Sequence, residues 1–71
     1  MTPYMESCNS SCIEEFGYDR ERGALYITFH SGGTYLYEGV EEDTYLGLRD
    51  ASSKGKYFHN YIKDKYSCDK C

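Results

Sequence analysis

The chain has 71 residues, a formal net charge of −4, nine tyrosines, three phenylalanines and no tryptophan. This length supports one domain, which buries only about 60% of the surface that the unfolded chain exposes. The N-terminus lacks the basic and apolar regions of a secretion signal, and no apolar run reaches the roughly 20 residues of a membrane span. We therefore predict a single cytoplasmic domain, with no membrane contact, in which tyrosine rings supply part of the core.

Three short runs predict strands that are joined by tight turns. Ile13–Asp19 (IEEFGYD) ends in a turn-forming stretch, and Ala24–His30 (ALYITFH) alternates apolar and polar side chains. The turn SGG follows, and Thr34–Glu38 (TYLYE) reads as the third strand. The short connections favour an antiparallel meander. If one face of this sheet is open, the alternation places Tyr26 and Thr28 on it.

The apolar period changes after Gly39. Three acidic residues precede Tyr45 and Leu48, which lie three positions apart, as in the first turns of a helix. A second helical face is formed by Tyr57, Phe58, Tyr61, Ile62 and Tyr66. The predicted fold class is α+β: a three-stranded antiparallel β-meander followed by two short helices packed on one face, in the order β-β-β-α-α.

In their order and spacing, the segments SSCIEEFGYD, LYITFHSGGTYLYEGV and SSKGKYFHNYIKDKY resemble the KTSC domain. Tyr35 and Tyr37 match the central YxY of that family. The resemblance covers about residues 10–66 and implies one KTSC-like domain over 1–71, with termini that are loose or clipped by zinc. The family occurs at the C-terminus of some lysyl-tRNA synthetases and as small bacterial and phage proteins. It implies no established activity, and the fusion to a synthetase suggests RNA binding by association only.

Positive charge is concentrated in the segment 52–65 (SSKGKYFHNYIKDK), which holds four of the eight basic residues. Backbone N–H groups at a helix start, together with lysines, form an anion site, and exposed rings stack on bases. We predict a small non-enzymatic module that binds RNA or another phosphate-bearing ligand. The predicted binding residues are Ser53, Lys54, Gly55, Lys56, His59, Lys63, Lys65, Tyr35 and Tyr37. The structural alternative is a capped helix start with solvated lysines and core tyrosines.

Four cysteines lie near the two ends of the chain. Cys8 and Cys12 form C-x3-C, while Cys68 and Cys71 form C-x2-C. Both spacings suit two thiolates on one ion, so the four could form a structural zinc site that clips the termini. Free thiols are the main alternative, and oxidation would allow three disulfide pairings. No other cofactor is predicted.

Two further interpretations remain open. The acidic residues Glu14, Glu15, Glu41, Glu42 and Asp43 could form the contact face of a protein–protein interaction module, such as a phage-encoded inhibitor of a host protein. An exposed strand edge could instead mediate homo-oligomerisation. Catalysis is not predicted, because the two histidines have no orienting partner in the sequence pattern.

Overall fold

The computed structural model describes residues 3–70 and contains a sheet and two helices. In chain order the elements are β1 (Glu6–Ser7), β2 (Ile13–Asp19), β3 (Ala24–Phe29), β4 (Thr34–Glu38), α1 (Glu42–Asp50), α2 (Lys54–Tyr61) and β5 (Ser67–Lys70). The sheet order is β1-β2-β3-β4-β5, and every neighbouring pair is antiparallel. The predicted α+β class is confirmed. The prediction of three strands is wrong, because the meander has five.

The two unpredicted strands lie at the edges of the sheet. β1 has two residues, too few for an alternating pattern. β5 reads SCDK, and all four of its residues are exposed. It pairs with β4, with Cys68 opposite Tyr37 and Lys70 opposite Tyr35. An edge strand that buries no side chain gives no apolar signal in the sequence, so only its backbone pairing reveals it.

One face of the sheet carries the core. Phe16, Ile27 and Tyr35 are register partners on neighbouring strands, so their side chains share this face. The helices cover it with Leu48 from α1 and Phe58 from α2, both of which are buried. The prediction that both helices pack on one face of the sheet is therefore confirmed. Within residues 3–70, neither helix is long and apolar enough to cross a membrane.

Helix α1 is fixed by aromatic contacts rather than by its own propensity. The ring of Tyr45 stacks on Tyr18 with centroids 4.8 Å apart and an interplanar angle of 8°. The Tyr18 hydroxyl donates a hydrogen bond to the carbonyl oxygen of Val40, just before the helix. Gly47, which weakens an isolated helix, leaves the space that the Tyr57 hydroxyl occupies. The absence of a side chain at Gly47 thus allows the two helices to pack closely.

The second face of the sheet is covered by the N-terminal segment. Tyr26, which the alternation placed on an open face, is only 8% exposed. A Cβ atom on Gly17, its register partner, would lie 2.5 Å from the carbonyl oxygen of Tyr4 and 2.7 Å from the sulfur of Met5. Residues 3–5 therefore pass directly over this strand. Alternation shows which residues share a face, but not that a chain terminus covers it.

The close approach at Gly17 gives a stability prediction. Gly17→Ala places a methyl group against backbone and Met5, so the free energy of unfolding should fall by about 1–3 kcal/mol. Urea unfolding measures this. In a chain that starts at residue 6 the clash partners are gone, and the same substitution should cost little. An equal penalty in both backgrounds would show that the N-terminal segment does not pack on Gly17.

Candidate functional site

A polar cavity lies between two serine-rich loops that are distant in sequence. Its volume is about 350 Å³, and it opens beside the start of α2. It is lined by Asn9, Ser10, Ser11, Ser52, Ser53, Lys54 and Gly55. These residues contribute hydroxyl, amide and ammonium groups but no carboxylate, so the cavity suits an anion better than a cation.

The first loop is held in place by hydrogen bonds within it and from His30. The Ser10 hydroxyl oxygen accepts from the N–H groups of Cys12 at 3.3 Å and Ile13 at 3.2 Å. His30 adds two contacts from the end of β3. Its backbone N–H donates to the Cys12 carbonyl at 3.0 Å, and its ring Nε2 lies 2.9 Å from the Ser10 carbonyl, which requires a proton on Nε2. His30 is therefore a positioning residue that sequence reasoning had left without a role.

The second loop is the entry to α2. Ser53 is the N-cap residue, but within the described residues its side chain forms no capping hydrogen bond. The first N–H groups of a helix lack intrahelical acceptors, so the first turn of α2 keeps donors for a ligand. The Lys54 ammonium donates to the Ala51 carbonyl at 3.3 Å, which holds its stem along the cavity wall.

The two loops come into close contact at Gly55. A Cβ atom at this position would lie 2.8 Å from the sulfur of Cys12 and 3.7 Å from the Ser10 hydroxyl oxygen. The absence of a side chain at Gly55 therefore lets the loop that carries Cys12 approach the start of α2.

The other predicted basic residues lie outside the cavity. Lys56 and His59 are exposed on the outer side of α2, and Lys63 and Lys65 follow its end. α2 has eight residues, so its far end lies about 10 Å from Lys54 along the helix axis. The three lysines contribute positive potential around the helix, and none of the four side chains lines the cavity.

The predicted stacking tyrosines face the core. Tyr37 is 6% exposed and meets Phe58 edge to face at 5.6 Å. Burial, followed by the neighbouring Cys68 thiol, raises the pKa of Tyr37 well above its usual range. Tyr35 is half-buried and meets Phe29 in the same way at 5.6 Å. Stacking on a base requires an exposed ring, and Tyr37 does not meet that condition, because the YxY alternation turns both rings toward the helices.

Three of the four cysteines in the predicted zinc clip lie among the described residues, and they are spread across the sheet. Cys8 and Cys12 lie between the first two strands, whereas Cys68 lies on β5 at the opposite edge. Strands are about 4.8 Å apart, so β2 and β5 are separated by about 14 Å, while Zn–S bonds measure about 2.3 Å. At this separation one ion does not join Cys68 to Cys8 and Cys12. Among residues 3–70, no cluster of three metal-binding side chains forms. Cys71 lies outside the described residues.

The acidic residues do not form one face. Glu15 alternates with the buried Phe16 and points away from the helices. Glu41, Glu42 and Asp43 lie at the start of α1, in the helical layer, where Glu42 pairs with Arg20 at 2.7 Å. The predicted acidic contact face is therefore divided between the two sides of the sheet.

The fold and the cavity define a class: a small α+β domain in which a helical pair covers one face of a five-stranded antiparallel meander. The KTSC domain model matches residues 9–66 of this chain. The chain therefore belongs to the KTSC domain family, and the resemblance seen in its sequence is confirmed.

A solved structure shows the same fold. The KTSC domain protein of Yersinia pestis is 38% identical, with a TM-score of 0.94, and the match covers 96% of each chain. An uncharacterized protein of Stutzerimonas stutzeri is 35% identical over 57 residues, which are 80% of each chain. A lysine–tRNA ligase of Nostoc punctiforme is 38% identical over 56 residues. That match covers 79% of this chain but spans only 10% of the ligase.

The buried hydroxyl of Tyr37 predicts a loss of stability at alkaline pH. Its folded pKa lies above the unfolded value of about 10, so the unfolded state loses this proton first as the pH rises. The free energy of unfolding should therefore be undiminished below pH about 10 and fall above it. Tyr37→Phe removes the titrating group, so its curve should fall less steeply than that of the parent. Tyr4→Phe, at a residue 86% exposed, is the control. Parallel curves for parent and Tyr37→Phe would contradict the prediction.

Proposed function

We propose that this chain is a small non-enzymatic binding module that takes a phosphate-bearing ligand, RNA foremost, in the cavity between its two serine loops. The observation that carries the proposal is the lining of that cavity. Hydroxyl groups from both loops, Lys54 and the first turn of α2 converge there without a carboxylate. Hydrogen-bond donors and a helix start are the groups that bind phosphate in proteins.

Two carboxylates lie close in sequence to the cavity loops. Asp50 is paired with its neighbour Arg49 at 3.2 Å, and the Glu14 carboxylate lies 3.8 Å from the Nδ1 atom of His30. The acidic first turn of α1 lies at the other end of a nine-residue helix, about 12 Å away. Lys56 lies two positions after Lys54 in α2 and does not line the cavity. The local field at the cavity is therefore favourable for an anion although the whole chain carries −4.

The relatives support RNA as the ligand. A lysine–tRNA ligase of Nostoc punctiforme contains a matching segment that makes up 10% of its length. That protein is named for a reaction on tRNA, and a small accessory domain that holds a phosphate could assist such a protein. For this chain, RNA binding is suggested by its similarity to part of that ligase, and the binding measurements below test it.

The proposal predicts how two matched double variants differ in RNA binding. Each phosphate contact with a single strand contributes about −0.7 to the log–log salt slope, so Lys54→Ala with Lys56→Ala should weaken binding and flatten the slope by roughly 1. Lys63→Ala with Lys65→Ala removes the same charge beyond the helix end and should have a smaller effect. Fluorescence anisotropy at several salt concentrations measures both.

Two results would contradict the proposed function. One is an equal loss for both double variants, which would mean that charge alone matters and the cavity does not. The other is the absence of RNA binding at low salt together with a stoichiometric protein partner that survives nuclease treatment, which would favour a protein-interaction module. Circular dichroism of each variant checks that the fold is retained.

A further inference from the structure

Tyr61 is a large aromatic residue left on the surface of the helical layer. It is 59% exposed, whereas Phe58 and Ile62 on the same helix are buried. Its ring rests on that of Tyr57, with centroids 4.7 Å apart and an interplanar angle of 38°. A ring supported by a second ring on one side and open to solvent elsewhere offers a flat, rigid contact surface. The sequence pattern had assigned Tyr61 to the core.

Tyr61 is aligned with the cavity along one side of α2. Lys54, Tyr57 and Tyr61 follow the spacing i, i+3, i+7, which places them on one stripe of the helix. We refer to these three residues as the α2 stripe. Its first residue lines the cavity, and its last lies about 10 Å further along the axis. Helical side chains lean toward the N-terminus of their helix, so the Tyr61 ring is directed back toward the cavity end.

Tyr57 is held firmly enough to support the outer ring. Its hydroxyl occupies the space above Gly47 on α1, and burial raises its pKa, with smaller contributions from Tyr61 and Tyr66. The supporting ring is thus wedged between the two helices. Little further ordering is required when a ligand stacks on Tyr61, which lowers the entropic cost of binding.

We propose, building on the phosphate-binding function above, that the ligand is a single-stranded nucleic acid whose phosphate sits in the cavity and whose base stacks on Tyr61. Tyr61 takes the role that the sequence had given to Tyr35 and Tyr37. The α2 stripe then binds two groups of one strand: Lys54 binds a phosphate, and the ring of Tyr61 stacks on a base.

The charge distribution indicates which end of the α2 stripe binds the phosphate and which end binds the base. α1 ends beside the cavity, and its first turn, with Glu42 and Asp43, lies toward the far end of the helical pair. A phosphate is favoured at the lysine end and disfavoured near these carboxylates. An uncharged base has no such penalty, so the aromatic end suits a base.

The test compares two strands of equal length: labelled oligoadenylate and an abasic ribose-phosphate strand. Stacking of one base is worth a factor of about 5–150 in affinity, so Tyr61→Ala should weaken oligoadenylate binding by that factor. Tyr61→Phe keeps the ring and should keep most of the affinity. Tyr4→Ala is the matched control, because Tyr4 is 86% exposed and not part of the α2 stripe. The abasic strand should bind the parent and Tyr61→Ala equally.

The outcomes separate this inference from the proposed function. If the parent binds both strands equally, or if Tyr61→Ala weakens both by the same factor, base stacking on Tyr61 is overturned while phosphate binding stands. If neither strand binds the parent, the proposed function itself fails, and the inference fails with it. A selective loss of oligoadenylate binding in Tyr61→Ala, restored in Tyr61→Phe, supports the inference.

Discussion

The contact of Phe58 with the sheet is the interaction on which the rest of the structure depends. Its buried ring meets Phe29 at 5.3 Å and Tyr37 at 5.6 Å, both edge to face, and so fixes α2 across β3 and β4. With α2 in this position, Gly55 meets the loop that carries Cys12, and the polar cavity forms between them. The same contact buries Tyr37 and leaves the opposite side of α2 to solvent. The cavity and the α2 stripe are therefore two consequences of one aromatic contact.

The small size of the chain explains why aromatic residues form so much of its core. The chain has only eight leucine, isoleucine and valine residues, so phenylalanine and tyrosine must complete the core. Tyrosine does so without loss only when its hydroxyl reaches an acceptor or water. Tyr18 donates to the Val40 carbonyl, and Tyr66 lies within 3.5 Å of Glu41 and Thr44. Most tyrosines thus serve packing, which makes the exposed ring of Tyr61 informative.

A structural element can be predicted from the sequence when the pattern that indicates it lies within the element itself. The three central strands and both helices follow from apolar alternation and helical spacing. The structure has them in the predicted order, but α2 ends at Tyr61, before Tyr66 of the predicted helical face. β5 was missed because a fully exposed edge strand has no pattern, and Tyr26 was misplaced because residues 3–5 cover it. The Lys54–Gly55 half of the cavity was predicted from the helix start. The Asn9–Ser11 half was not, because only tertiary packing brings that loop across some forty positions of sequence.

An acidic chain can still bind an anion when the opposing charges are far enough away. At physiological ionic strength, interactions between exposed charges fade beyond about 8 Å, and the first turn of α1 is about 12 Å from the cavity. Lys54, Lys56 and the start of α2 supply the positive part of the field there. Further along a polyanion, however, phosphates would approach the carboxylates of the body. The charge pattern therefore favours a short, local contact with one or two nucleotides over continuous tracking of a long strand, and under such a limit a stacking ring adds affinity that extra lysines would not.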